Sequence, residues 1–219
     1  MKYLNDVSYK DCVGKVCKSK SSGDFKIVKY NDSRNVEIQF LNTGYEATVE
    51  LVQVKRGDVK DLYSPSVYGV GVVGAKYSTR VNGVLTKEYA LWHSMLERCY
   101  SDIYKKKYQT YESCEVSDKF KSYEYFYEWC HKQVGFGNDG FELDKDLLIK
   151  GNKVYSENTC VFIPAEVNTL LVKRAAPRGK HLIGVCWHNA YKEAKESFVK
   201  EKANKWKGKI DDRAYEVLI

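Results

Sequence analysis

Proline is scarce in this chain, three residues in 219, too few for a proline-rich or collagen-like segment. No run of about 18 apolar residues occurs, so no transmembrane helix is expected. The opening MKYLNDVSYKD has no apolar core of the secretory type, and no export signal is expected there. No C-x-x-C pair occurs among Cys12, Cys17, Cys99, Cys114, Cys130, Cys160 and Cys186. A structural zinc site normally uses such close pairs. Widely spaced cysteines in odd number point instead to free, buried thiols in a reducing compartment such as the cytoplasm. GVGVVG is followed by no helix of a βαβ unit, which sets aside a dinucleotide fingerprint.

Aromatic residues are plentiful: 14% of the chain, 18 of them tyrosines, within a hydrophobic fraction of 43%. That is too much apolar material for a disordered chain. At roughly 100–200 residues per domain, the length allows one large domain or two to three small ones. Lys and Arg total 36 against 29 acidic residues, a net charge of +7. The excess is uneven. Residues 173–219 hold 12 basic and 6 acidic side chains, and Lys173, Arg174, Arg178 and Lys180 have no acid between them. A phosphate backbone rewards such local asymmetry. Lys105, Lys106 and Lys107 are a second candidate phosphate contact, read as part of a loop.

The fold class expected is α+β, in three parts. Residues 1–65 form a small N-terminal antiparallel β domain. VGKVCK, FKIVKY, NVEIQF and YEATVELVQV alternate as strands, separated by Gly-, Asn- and Ser-rich turns. Four such strands suggest a curled sheet or an SH3-like barrel. Residues 66–172 form a central ββα module with flanking helices. Helices are predicted over 87–100, from Tyr89, Trp92, Leu96 and Cys99, and over 118–132, behind an N-cap at Ser117. FELDKDLLI, over 141–149, is a strand, KGNKVY a turn, TCVFIP a second strand and AEVNTLLVKR a helix. Residues 173–219 form a basic tail, with a short strand in HLIGVCWH and a helix over 192–207.

The strand–turn–strand–helix frame carries the chemistry. Asp144 ends the first strand and Asn168 lies on the following helix, so the frame can offer one cation a carboxylate and an amide oxygen. Oxygen ligands of this kind suit Mg²⁺ or Mn²⁺, and such a cation would polarise a phosphodiester. Lys145 follows Asp144. A lysine titrates near pH 10.4, which makes it a poor base and a better stabiliser of transition-state charge.

The residues Trp92-x-x-Met95-x-x-Arg98-Cys99-Tyr100, Cys114-x-Val116, Leu143-Asp144-Lys145-Asp146, Tyr155-Ser156 and Cys160-Val161-Phe162, ending in Asn168, resemble phage HNH endonucleases of the homing type. The resemblance covers residues 85–172. It implies that Asp144 and Asn168 are the metal ligands and that Lys145 stands where the family has its general-base histidine. The base-orienting asparagine falls on Thr159, with Asn158 beside it. His131 and His93 are the histidines near enough in sequence to replace the base. The tail resembles an APETALA-type DNA-binding domain in Gly184–His188 and in 192–207. Only three residues stand where two further strands would lie, so the domain is truncated.

Two functions follow from the resemblance. One is a metal-dependent DNA nuclease or nickase using Asp144 and Asn168, with Lys145 or His131 handling the proton or charge. The other is a non-catalytic descendant with a degenerate site. It would bind DNA, or a host or phage protein in a counter-defence role, in the cytoplasm of an infected bacterium.

Overall fold

Alternation of buried and exposed side chains along residues 16–49 builds an antiparallel sheet of four strands in the order β1–β2–β3–β4. These are β1 (Val16–Lys18), β2 (Asp24–Asp32), β3 (Asn35–Phe40) and β4 (Glu46–Val49). The computed structural model describes residues 12–171 and 185–219, and the chain divides after Tyr77 into two compact units.

In the first unit Phe25 pairs with Phe40 and Ile27 with Ile38 across β2 and β3. All four are at most 1% exposed, and each such burial contributes about 1.5–3 kcal/mol. Among the described residues the sheet does not close into a barrel, since β1 and β4 remain its edges. The second layer is a helix where a strand was predicted, α1 (Leu51–Arg56). Glu50 and Gln53 form a reciprocal capping box, and Gly57 ends the helix at φ 68°. These local devices outweigh the strand propensity of LVQV, and Leu51 and Val54, one helical turn apart, join the core.

The second unit opens with a hairpin, β5 (Arg80–Val81) and β6 (Val84–Leu85), and then α2 (Lys87–Tyr100). Thr86 caps α2 through the Tyr89 N–H, and the predicted stripe is buried at Trp92, Leu96 and Cys99, with Met95. Next come α3 (Asp102–Lys107), a 3₁₀ turn at Gln109–Tyr111 and β7 (Glu115–Val116). Lys105, Lys106 and Lys107 therefore end a helix and are not in a loop. Ser101 caps α3 through the Tyr104 N–H, with Asp102 in its first turn, so both ends suit the helix dipole.

The single helix predicted over 118–132 is two: α4 (Asp118–Lys121) and α5 (Tyr123–Lys132). Ser122 takes extended backbone angles, and its hydroxyl accepts the Tyr125 N–H as a second N-cap. The break leaves the Phe120 carbonyl for the Trp92 indole N–H, at 2.7 Å. Phe120, Tyr123, Phe126 and Trp92 are completely buried.

The ββα frame follows. β8 (Phe141–Asp144) pairs antiparallel with β10 (Val161–Pro164), and α6 (Ala165–Leu171) continues from β10. Between them β9 (Val154–Tyr155) pairs in parallel with β7. β8 is shorter than the strand predicted over 141–149 because Asp144 turns the chain. Its carboxylate accepts the N–H groups of Asp146 and Leu147.

The C-terminal strand predicted in HLIGVCWH is not formed over its described part. Val185–His188 begin α7 (Val185–Lys205). That stretch has neither Gly nor Pro and is rich in Ala, Lys and Glu, so nothing stops the helix propagating. The final segment is α8 (Asp212–Leu218). Its Ala214 packs with Val161 and Ile163 of β10, and Glu166 of α6 accepts the Trp206 indole N–H at 2.6 Å. Among the described residues no helix is long and apolar enough to cross a membrane.

Candidate functional site

Asp144 sits at the end of β8, opposite Val161 of β10. Its Oδ1 accepts two backbone N–H groups, from Asp146 at 2.8 Å and Leu147 at 2.6 Å. Burial raises its pKa above the ordinary carboxylate value, and these two hydrogen bonds only partly offset the rise. The carboxylate thus shapes the turn that leaves β8.

Lys145 points into the turn that Asp144 begins. Its Nζ donates to Asp146 Oδ1 at 2.6 Å and to the Asn152 carbonyl at 2.9 Å. The side chain is 8% exposed, and its ammonium lies 5.6 Å from the centre of the Tyr155 ring. Asn152 completes the arrangement by donating to the carbonyls of Lys145 and Val154. The ammonium is held as part of this loop.

Thr159 is structural in the same way. Its hydroxyl donates to the Val154 carbonyl and accepts the Ser156 N–H, closing the turn before β10. The neighbouring Asn158 offers its backbone carbonyl to Arg213. His131, on α5, has its Nε2 2.8 Å from Glu88 Oε1 in the first turn of α2. Its ring packs against Tyr127 and Phe136. His93 lies against the Tyr89 ring. The structure therefore does not gather Lys145 and His131 around one reacting atom.

Mg²⁺ or Mn²⁺ needs several oxygen ligands converging on a point. Asn168 donates its amide N–H to Glu142 Oε2 at 2.8 Å, and both line a cavity that Asp144 does not line. Asp144 has one oxygen already taken by two N–H groups. Among the described residues no three of His, Cys, Asp and Glu surround a common point. In this arrangement the donor set of Asp144 and Asn168 does not fit the cation.

That cavity, of about 260 Å³, lies among α2, β8, β9 and α6. Leu91, Met95 and Phe141 give it an apolar wall, and Arg98, Glu142 and Tyr155 bring polar groups to it. The Arg98 Nε is fully buried and has no hydrogen-bond partner. Its guanidinium lies 5.9 Å from the centre of the Tyr111 ring. Burial pushes the Tyr155 phenol well up, and the nearby Arg98 pulls it only partly back, so the phenol is neutral at physiological pH. Sequence reasoning passed over Arg98 as a functional residue. The available signal was the run Leu91, Ser94, Met95, Arg98, which puts a cation on one face of α2.

The six described cysteines are free. Burial pushes the thiols of Cys99 and Cys160 up to about 12, which leaves them inert as nucleophiles. Lys105, Lys106 and Lys107 stand together at the end of α3. Lys173, Arg174, Arg178 and Lys180 lie outside the described residues. No protein-family model, curated protein or solved structure matches this chain.

Proposed function

We propose that this chain is a nucleic-acid-associated protein of phage HNH endonuclease descent, keeping the ββα frame with a degenerate nuclease centre. The observation that carries the reading is the state of Lys145. The residue at the general-base position is 8% exposed and bound to Asp146 and Asn152. Buried and held by two hydrogen bonds inside its own loop, the side chain is not positioned to take a proton from an attacking water. The commitment of Asp144 to its own turn and of Asn168 to Glu142 supports the same reading.

Association with nucleic acid rests on charge. The net charge is +7, the three lysines that end α3 lie together, and residues 173–219 carry most of the excess. Such a protein would work in the cytoplasm of an infected bacterium, where its DNA targets are.

Plasmid nicking with Mg²⁺ and with Mn²⁺ tests the reading, beside an Asp144→Ala, Asn168→Ala double variant. The expected result is no metal-dependent cleavage by either protein. Duplex binding should weaken linearly in log Kd against log salt. Metal-dependent nicking that the double variant loses would overturn the degenerate site and restore the nuclease. Absence of salt-dependent binding would remove the nucleic acid.

A further inference from the structure

Arg98 is charged at every accessible pH, and among the described residues no carboxylate forms an ion pair with it. Its Nε is buried without a hydrogen-bond partner. The residue as a whole is half-buried, and a guanidinium donor taken out of water without a partner is costly unless something else supplies one. The surroundings do not supply a counter-charge either. Tyr155 hydrogen-bonds the guanidinium through a neutral hydroxyl and Tyr111 lies against it as a neutral ring, so neither brings a negative charge. Glu142, the one acid on the cavity, is exposed and accepts the Asn168 amide N–H.

The cavity beside the guanidinium is about 260 Å³. A water molecule occupies about 30 Å³ in the liquid, so there is room for a tetrahedral oxyanion and more. Ser94 stands one helical turn before Arg98 on the same face of α2 and also lines the cavity. Asn168 has a second amide hydrogen beyond the one given to Glu142. Leu91, Met95 and Phe141 form an apolar wall, and a sugar or base attached to the oxyanion would pack there.

We propose that this cavity binds a phosphate group carried by a nucleotide or a nucleic-acid strand, with the Arg98 guanidinium as its cation and Ser94 and Asn168 as further donors. A guanidinium suits this ligand because its planar donors match two phosphate oxygens at once. The inference rests on the nucleic-acid reading for the bearer of the phosphate. The phosphate grip itself requires only the cavity.

The test is calorimetric titration of the full chain, at low salt, with inorganic phosphate, thymidine 5′-monophosphate, thymidine and a short oligonucleotide with and without a 5′-phosphate. The phosphate-bearing ligands should bind and thymidine should not. Arg98→Gln should weaken binding by about tenfold or more, the scale of a charge-assisted hydrogen bond. Glu142→Gln should strengthen it severalfold by removing the one negative charge at the mouth. Glu142 is exposed, so this second variant keeps the test decisive if Arg98→Gln fails to fold.

Preference for the phosphorylated oligonucleotide over the monophosphate identifies a strand as the bearer. The reverse identifies a free nucleotide. Both support the cavity. Phosphate ligands that bind no better than thymidine, or with an affinity that Glu142→Gln leaves unchanged, would overturn it. Salt-dependent duplex binding without any response to the monophosphate or to the 5′-phosphate of the oligonucleotide refutes the cavity alone. The monophosphate bound at Arg98 without duplex binding refutes the nucleic-acid reading alone.

Discussion

A lysine taken out of water costs stability unless its ammonium finds partners, and Lys145 has found two. Lys145→Met removes the donor from the Asn152 carbonyl and from Asp146. The expected loss is about 1–3 kcal/mol, the scale of a hydrogen bond to a charged group, read by urea unfolding. Duplex affinity should stay within about twofold, because the side chain is nearly buried and its ammonium is held by Asp146 and Asn152; a larger drop would mean that Lys145 touches DNA. Asp144 makes a prediction of opposite kind. Burial raises its pKa, so the folded state favours the protonated form. Its contribution to stability is present at low pH and is lost as pH rises through the folded pKa. Asp144→Asn keeps an oxygen for the two backbone N–H groups and cannot ionise. The variant should therefore gain on the wild type as pH rises from about 3 to 7. Denaturation at a series of pH values measures this, and an Asn variant that loses ground as pH rises contradicts it.

Elements were legible where periodicity was long and illegible where a local device cut across it. α2 was readable because Trp92, Leu96 and Cys99 repeat at helical spacing over 14 residues. The ββα order was readable because β8 alternates apolar and acidic residues, β10 is a fully buried apolar run, and the Gly151-Asn152 turn lies between them. α1 was read as strand because Val52 and Val54 alternate, although Glu50, Gln53 and Gly57 already spelled a capped helix. The break at Ser122 was hidden by a continuous aromatic stripe on both sides of it. The parallel pairing of β7 with β9 joins two-residue segments far apart in sequence, too short to leave any pattern. The cavity is the same case on a larger scale: its walls come from four elements, and only their packing brings Arg98, Glu142 and Asn168 together. Gly57 tests the device that sequence propensity missed. It holds φ 68°, and a Cβ there would stand 2.8 Å from the Lys18 carbonyl oxygen. Left-handed strain costs about 1–2 kcal/mol, and the backbone clash adds to it. Gly57→Ala should therefore destabilise by at least about 2 kcal/mol, seen as a lower urea midpoint. An unchanged midpoint would mean that α1 does not end in this conformation.

At the scale of the whole molecule, charge decides how the protein meets a polyanion. The second unit carries the three lysines at the end of α3, each stabilised there by the C-terminal end of the helix dipole. That local role competes with a role in binding, and salt dependence separates the two. A phosphate contact contributes about 0.9 to the slope of log affinity against log salt. If Lys105, Lys106 and Lys107 all touch the backbone, replacing them together with Gln lowers the slope by up to about 2.7. If they serve only the helix end, the slope is unchanged and the loss appears in stability, at about 0.3–1 kcal/mol for each charge. We expect the slope to fall, because the side chains of Lys106 and Lys107 are exposed and none of the three lysines is held by an acid among the described ion pairs. Duplex binding measured at several salt concentrations, with urea unfolding of the same variant, decides between them. An unchanged slope would move the interface away from α3, toward the basic run at 173–180.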